Sequence, residues 1–435
     1  MRHLPINNQL FKDNRERLTK LLPEGTLAIV NANDILPTCA DGVHAMHPNS
    51  DLFYLTGIQQ EQSILLLFPD AIEPRNREIL FMREPNEHLA VWEGHKHTKE
   101  EAKKISGIEN IQWLSEFPAQ HRLLMCEAKG ACLNTNEHGR ADVTVQSRDL
   151  RFIQECQQQF PLHTYHRLAP MMHKLRAIKM PQEIELLRKA VDITRSGFLR
   201  LLDYVEPGVT EHAIEAELAH EYIRNRGKFA YLPIVASGKN NCILHYIENN
   251  QVCQDGDMLL LDCASSYANC NADLTRTIPV NGRFTKRQKD VYNAVLRVLR
   301  ASIKGATPGK KHSVWQKEAQ GMMNQELLEL GLITSDDIKN QDPHEPACRK
   351  YFMHGLGHPL GLDVHDVARV DEPIQEGYVL TVEPGIYIPE EGFAVRLEDD
   401  IIVTNNKPIN LMADTPIEAE EIEDLMNQNQ TTLKL

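Results

Sequence analysis

Gln254-Asp-Gly-Asp-Met-Leu-Leu-Leu-Asp262 is matched later in the chain by Gln375-Glu-Gly-Tyr-Val-Leu-Thr-Val-Glu383. Each copy holds a turn with glycine, then an apolar run, then one carboxylate. A second acid follows each copy, Asp273 after the first and Glu398 after the second. Two half-sites of the same build, with acids on neighbouring strands, can enclose a shared pair of cations. The repeat therefore predicts a two-metal hydrolase.

The repeat extends to the segments that precede the acids. In each half the pattern predicts a helix, a Pro-Gly break, a second helix that a glycine ends, and then strands. The second helices run from Thr210 to Gly227 and from about Ser313 to Gly331, after the breaks at Pro207-Gly208 and Pro308-Gly309. The period is too long for a solenoid. We expect two fused ααβ units around a common sheet, related by a pseudo-two-fold axis.

The residues that precede the repeat are predicted to form a separate domain. Residues 1–170 mix helical stripes with short buried strands and show no metal-ligand spacing, so we expect a scaffold or gating domain. Residues 166–178 are expected to form an irregular connection, after which Pro181 begins a helix. The predicted fold is α/β (α+β), with a mixed domain at 1–170 and a catalytic domain at 171–435.

Composition excludes several classes of function. Asp and Glu number 61 against 47 Lys and Arg, for a net charge of -14, and no stretch concentrates basic residues. Nucleic acid and anionic membranes are therefore not expected as partners. Nine cysteines without a CxxC pair favour reduced thiols. With no signal peptide and no apolar run of about 20 residues, we expect a cytoplasmic protein without a membrane span.

The four acids share a second property. Asp262 and Asp273, like Glu383 and Glu398, are separated by an odd number of positions, which allows direct opposition in an antiparallel hairpin. A carboxylate at the end of a buried strand is costly unless it is paired or bound to a cation. One such acid alone could equally reach water. Four in matched positions favour a cation site.

Histidines supply the remaining candidate ligands. His354, His358 and His365 lie in a segment whose glycines and proline argue against a regular helix and allow close approach to a site. His245 precedes the first acid copy. Four carboxylates with one imidazole favour Mn²⁺, Co²⁺, Fe²⁺ or Zn²⁺ and can make a bound water acidic enough to form hydroxide. The chain has no phosphate loop or nucleophile elbow, so metal-assisted hydrolysis is the expected use.

Arg396 lies two residues from Glu398, on the same face of a strand. It could orient a neighbouring carboxylate, or it could form a surface ion pair. The sequence alone leaves both interpretations open.

Taken together, these motifs resemble those of the pita-bread metallopeptidases, in the branch of aminopeptidase P and prolidase. The resemblance covers nearly the whole chain. It is carried by Ile243-Leu-His245-Tyr, Asp262, Asp273-Leu-Thr-Arg-Thr, His354-x-x-x-His358, Val364-His365-Asp366, Thr381-Val-Glu383-Pro-Gly and Arg396-Leu-Glu398-Asp, with Ser50–Gly57 matching the accompanying N-terminal domain. Ala264 and Pro359 depart from the usual residues of the family, glycine and an aromatic residue.

The resemblance implies a dinuclear site, usually described with Mn²⁺. Asp262 and Asp273 would hold one metal, Asp273 and Glu398 would bridge, and His358 and Glu383 would complete the other. Glu383 would also take a proton from the bridging water. Three histidines would act on the substrate: His245 and His365 would stabilise the tetrahedral intermediate, and His354 would line the proline pocket. Arg396 would support Glu398.

The activity implied is release of the first residue from peptides with proline in second position, by attack of a metal-bridging hydroxide. Prolidase, restricted to Xaa-Pro dipeptides, is the close alternative because the ligands are the same. The long leading domain disfavours a methionine aminopeptidase, and the full ligand set disfavours metal-free creatinase-like hydrolases and a non-catalytic binding protein. A homo-oligomer, dimer or tetramer, is expected. Trp92 would either reach a neighbouring subunit's site or be a partly buried surface residue.

Overall fold

The structure, a computed structural model, describes residues 3–135, 137–141, 144–369 and 371–432. The chain forms two compact units that divide between Arg176 and Ala177. In these residues no helix has the length and apolar character needed to span a bilayer.

The N-terminal unit is built on one six-stranded sheet. Its helices are α1 (Gln9–Thr19), α2 (Ser50–Thr56), α3 (Glu87–Trp92), α4 (Lys99–Ser106), α5 (Phe117–Glu127), α6 (Arg148–Gln159) and α7 (Ala169–Ala177). Its strands are β1 (Thr26–Asn31), β2 (Pro37–Cys39), β3 (Gly42–Val43), β4 (Ile64–Leu67), β5 (Glu78–Met82), β6 (Asn110–Trp113), β7 (Gly130–Leu133) and β8 (Thr164–Arg167). The sheet order is β6-β5-β4-β1-β7-β8, with β1, β4 and β7 wholly buried.

Local residues set both ends of helix α4. Thr98 and Glu101 form the capping box of α4, and Gly107 ends that helix at a φ of +71°. The prediction of an irregular connection at residues 166–178 is wrong, because β8 and α7 occupy most of that range. Its apolar positions pack as a short strand and a helix of nine residues, which are too short to give a clear period.

The C-terminal unit contains the repeated halves. Its helices are α8 (Pro181–Tyr204), α9 (Glu211–Arg224), α10 (Lys286–Gly305), α11 (His312–Glu329), α12 (Ser335–Lys339) and α13 (Ala419–Thr432). Its strands are β9 (Lys228–Phe229), β10 (Ile234–Ser237), β11 (Met258–Asp262), β12 (Ser265–Tyr267), β13 (Cys270–Asn271), β14 (Thr275–Pro279), β15 (Val379–Val382), β16 (Gly385–Ile388), β17 (Phe393–Arg396), β18 (Asp399–Ile402) and β19 (Ile409–Asn410).

The two halves of this unit have the same plan. Helices α8 and α9 pack together in the first half, and α10 and α11 pack together in the second. In each half a buried strand, β11 or β15, pairs antiparallel with a return strand, β14 or β18. A short hairpin lies between the paired strands, β12–β13 in one half and β16–β17 in the other. The predicted ααβ repeat is therefore present.

Arg276 joins the two halves. Its side chain is fully buried, and it donates to Asp399 Oδ1 over 2.7 Å and to the Glu398 carbonyl oxygen over 2.8 Å. It also donates to the carbonyl oxygens of Thr275 and Pro416. A planar guanidinium can serve four acceptors at once. Arg276 on β14 thereby fixes the start of β18, directly after the candidate acid Glu398.

We expect Arg276→Met to destabilise the C-terminal unit by about 3–5 kcal/mol, because it removes the cation that pairs with the buried carboxylate of Asp399. Thermal unfolding of the full chain would measure the change. Arg283→Met is the control, since Arg283 is exposed. Equal stability of the two variants would contradict the role given to Arg276.

Candidate active site

In each half the two acids lie at the ends of paired strands, but the register of the strands differs between the halves. In β15 and β18 the last opposed pair is Val382 with Asp399, so Glu383 and Glu398 come next on facing chains. The ladder itself ends one residue short of these acids, because Glu398 forms a bridge with Thr275 and Glu383 N donates to the Leu356 carbonyl oxygen. In the first half Asp262 instead lies opposite Thr275. The β12–β13 hairpin inserts between the strands and places Asp273 before the start of β14.

The candidate ligands converge on one site. Ligand atoms of Asp273, His358 and Glu398, all three buried, lie within 4.8 Å of one another. His358 Nε2 is 3.5 Å from Asp273 Oδ2 and 3.7 Å from Glu383 Oε1. The hydroxyl of Tyr231 joins Asp262 Oδ1 to Asp273 Oδ1, at 2.7 Å from each. All five predicted metal ligands are therefore gathered around the same space.

Backbone contacts hold the histidine segment against β15. Thr381 N donates to the His358 carbonyl oxygen over 2.9 Å, and His358 N donates to Thr381 Oγ1 over 3.0 Å. A Cβ at Gly357 would lie 2.0 Å from the Thr381 carbonyl oxygen, so only glycine fits. The segment is irregular, as its glycines predicted.

The tautomer of His358 follows from its contacts. Its Nδ1 lies 3.0 Å from the Pro359 carbonyl oxygen, which can only accept, so Nδ1 carries the proton. In the neutral ring the lone pair is then on Nε2, the atom that faces the carboxylates of Asp273 and Glu383. A lone pair directed at two anionic groups is the arrangement of a metal ligand whose other nitrogen is fixed by a carbonyl.

The acids repel one another without a cation. Burial raises the pKa of Asp273 well above its ordinary value, and the neighbouring carboxylate of Asp262 adds to the rise. Burial likewise raises the pKa of Glu398, with Asp273 the next cause. The residues therefore fit divalent cations, which would supply the missing positive charge.

Arg396 contacts a different acid from the one expected. Its Nη2 donates to Asp262 Oδ2 over 2.6 Å, and its Nε donates to Thr275 Oγ1 over 3.1 Å. Thr275 in turn donates to Glu398 Oε2 over 2.7 Å. Arg396 is only 5% exposed, so the surface ion pair is the wrong interpretation. It orients Asp262 directly and reaches Glu398 through Thr275.

His354 is held by a chain of hydrogen bonds. Its Nδ1 donates to the Gly355 carbonyl oxygen, so its Nε2 accepts from the hydroxyl of Tyr387, which accepts from Arg396 Nη1. Its Nδ1 also lies 3.7 Å from Glu383 Oε2. Burial lowers the pKa of His354 to about 4, so this ring is neutral at neutral pH.

The other two histidines lie at the edge of the site. The ring of His365 meets that of His358 edge-on, with centroids 4.3 Å apart, and its side chain is exposed. His245 is also exposed. Burial is the largest cause of the lowered pKa of His354, and the charge of the nearby His245 ring is a smaller one.

Sequence reasoning missed three residues that contact this site. Tyr231 bridges two acids, Tyr387 links Arg396 to His354, and buried Asp400 accepts from the backbone N–H of Asp273 over 3.0 Å. Asp400 extends the acid run after Arg396 and offered a weak signal. The tyrosines lie in no recognisable spacing.

The repeated α/β unit with a buried set of carboxylates and one imidazole defines a metal-dependent hydrolase. The family model of metallopeptidase family M24 matches residues 185–405, and that of the aminopeptidase P N-terminal domain matches residues 11–131. The chain belongs to metallopeptidase family M24. The predicted pita-bread fold with its N-terminal domain and the predicted enzyme class, a metallo-aminopeptidase, are confirmed. Family membership also implies divalent metal ions.

Curated relatives match over most of their length. The Xaa-Pro aminopeptidase of Escherichia coli (strain K12) is 34% identical, with 97% of this chain and 98% of the relative covered. Xaa-Pro aminopeptidase 3 of Homo sapiens is 33% identical, with 92% and 80% covered. The solved structure of zinc-substituted E. coli aminopeptidase P in complex with product has a TM-score of 0.85 at 33% identity, covering 98% of this chain and 99% of that chain.

We expect Asp273→Asn to stabilise the metal-free chain at pH 8. The pKa of Asp273 is higher in the folded chain than in the unfolded chain. The folded state of wild type is therefore most stable, as far as this group decides, below the ordinary pKa of about 3.9, and it loses stability as the pH rises towards the raised pKa. The variant cannot ionise, so its advantage in thermal midpoint should grow with pH and vanish near pH 4.

The control for this comparison is Asp255→Asn, since Asp255 is exposed and its partner Asn281 can still donate to an amide oxygen. Added divalent metal should stabilise wild type more than Asp273→Asn. A variant less stable than wild type at every pH, in metal-free buffer, would contradict the repulsion argument.

Proposed function

We propose that this protein is an Xaa-Pro aminopeptidase, which releases the first residue from peptides with proline in second position. Relatives of that name from E. coli and Homo sapiens support the proposal, since the chain aligns with them through both units. A further supporting structure is E. coli aminopeptidase P with the inhibitor Pro-Leu, at a TM-score of 0.85 and 32% identity.

The observation that carries the proposal is the position of His358 Nε2, which lies 3.5 Å from Asp273 Oδ2 and 3.7 Å from Glu383 Oε1 while Nδ1 contacts the Pro359 carbonyl oxygen. Asp262, Asp273, His358, Glu383 and Glu398 would hold two divalent cations, which polarise a peptide carbonyl and lower the pKa of water when bound. Mn²⁺ is the proposed metal, with Co²⁺, Fe²⁺ and Zn²⁺ as alternatives for this oxygen-rich donor set.

Glu383 takes the proton from the attacking water. Its carboxylate lies between two imidazoles, 3.7 Å from His358 Nε2 through Oε1 and 3.7 Å from His354 Nδ1 through Oε2. The low pKa of His354 keeps that ring neutral, so it does not compete for the proton. Proton transfer by a positioned carboxylate contributes about 10²–10⁴-fold to the rate.

The remaining side chains bind the substrate, stabilise the tetrahedral intermediate or position other residues of the site. His245 and His365, both exposed at the edge of the site, contact the substrate and stabilise the tetrahedral intermediate. His354, fixed by Tyr387, lines the pocket for the proline ring. Arg396 acts through Asp262 and through Thr275.

The substrate bond explains the need for such a site. An Xaa-Pro bond is a tertiary amide with no N–H, so a protease cannot hold it by that donor. The enzyme must therefore recognise such a substrate by a pocket that fits the proline ring and by contacts with the free amino group of the peptide. The catalytic role lies in the predicted domain 171–435, with 1–170 as its accessory domain.

Several finer assignments stay predictions. They are the homo-oligomer, dimer or tetramer, the cytoplasmic location, and contact of Trp92 with a neighbouring subunit's site. Trp92 ends α3 and is 73% exposed, so it is not partly buried in the single chain.

We expect Glu383→Gln to lower kcat/KM on an Xaa-Pro-containing tripeptide by at least about 10²-fold, because the amide cannot accept the proton. Kinetics with saturating Mn²⁺ would measure the loss. Glu390→Gln is the control, since an exposed amide oxygen there still accepts from Tyr351. Unchanged hydrolysis by Glu383→Gln would rule out the assigned role.

Peptide length separates the two closest activities. We expect wild type to cleave both an Xaa-Pro dipeptide and a tripeptide that begins Xaa-Pro, since an aminopeptidase leaves room beyond the proline. Parallel assays with equal substrate concentrations would compare the two rates. Cleavage of the dipeptide alone would identify a prolidase and reject the proposal.

A further inference from the structure

A second group of metal-ligating side chains lies in the N-terminal unit. His95, His97 and Glu101 each offer one ligand atom, and these atoms lie within 4.8 Å of one another. His95 Nε2 is 2.8 Å from Glu101 Oε2, and His97 Nδ1 is 3.9 Å from the same oxygen. The two imidazoles therefore direct ring nitrogens at one carboxylate.

The backbone prepares this arrangement. His95 and His97 lie two residues apart in the non-helical segment between α3 and α4. Glu101 is in the first turn of α4, where its Oε2 accepts from Thr98 N over 2.9 Å. His97 N donates to Gln60 Oε1 over 2.8 Å. One ligand from a capped helix and two from a pinned segment leave little to be ordered on binding.

Local charge also favours a cation here. Lys96, between the two histidines, directs its ammonium to Glu61 at 2.7 Å and to Glu93 at 3.1 Å, and Arg83 pairs with the same two acids. The charges of the Lys96 and Arg83 side chains thus balance those of the Glu61 and Glu93 carboxylates. Within the described part of the chain, Glu101 pairs with no lysine or arginine, so its negative charge faces the imidazoles.

We propose that His95, His97 and Glu101 form a zinc-binding site in the N-terminal unit. Two imidazoles and one carboxylate are a set that Zn²⁺ accepts, with water in the fourth position. Ligands at about 2.0–2.2 Å from zinc stand about 3.3 Å apart, so binding needs only a small closure of the three side chains. The metal would join the segment before α4 to the helix itself. The alternative is an ordinary ion pair between protonated His95 and Glu101.

Zinc stoichiometry of the full chain tests the site. Wild type and a His95→Asn/His97→Asn double variant would be dialysed against Zn²⁺ at about pH 8, above the ordinary imidazole pKa of about 6.5, and the bound metal would be counted by mass spectrometry. We expect the double variant to bind one zinc fewer, with the zinc of the catalytic centre present in both. His88→Asn is the matched control, an exposed histidine on α3, and should bind as wild type does.

Glu101→Gln refines the test, because an amide oxygen can still accept from Thr98 N while the ligand charge is lost. We expect this variant to lose the same zinc, or to release it at a lower chelator concentration, with the thermal midpoint of the metal-free chain unchanged. Equal zinc counts in wild type and the double variant would overturn the proposal. An equal loss in His88→Asn would do the same, since the zinc would then be held by scattered surface histidines.

Discussion

The burial of several carboxylates in one place is the constraint on which the C-terminal unit depends. Asp273 and Glu398 are each at most 5% exposed, and Asp262 and Glu383 lie beside them. Such groups cannot all ionise in a site of low polarity unless positive charge is supplied. The buried guanidinium of Arg396 donates to the carboxylate of Asp262 and so compensates one of these charges. The fold therefore holds a deficit of positive charge that divalent cations can fill.

The repeat explains how a protein can build such an unfavourable site. Each half contributes a buried strand, and the apolar burial of β11 and β15 stabilises the strand whose end carries the acid. Arg276 and Thr275 then connect β14 to β18 across the halves. The stability comes from groups around the site, so the site itself can remain electrostatically strained. Functional sites commonly have this property.

Protonation states follow from which carbonyl each ring can reach. His358 and His354 both donate through Nδ1 to a backbone carbonyl oxygen, and this leaves Nε2 with its lone pair in each case. In His358 that lone pair faces acids, and in His354 it accepts a hydrogen bond from the hydroxyl of Tyr387. The same residue type thus has two roles, one suited to a cation and one suited to positioning. The group that faces Nε2 decides between them.

The sequence by itself determined the repeat, the helices with their caps, and the five candidate ligands, because local turns, apolar periodicity and matched acids all leave a pattern along the chain. Only the tertiary structure decided which partners those ligands have. Tyr231 precedes Asp273 by 42 positions, and Arg396 lies 134 positions from Asp262. The insertion of β12–β13 also offset Asp273 from Asp262. Contacts of this kind depend on how separate strands pack, and no local spacing in the chain encodes them.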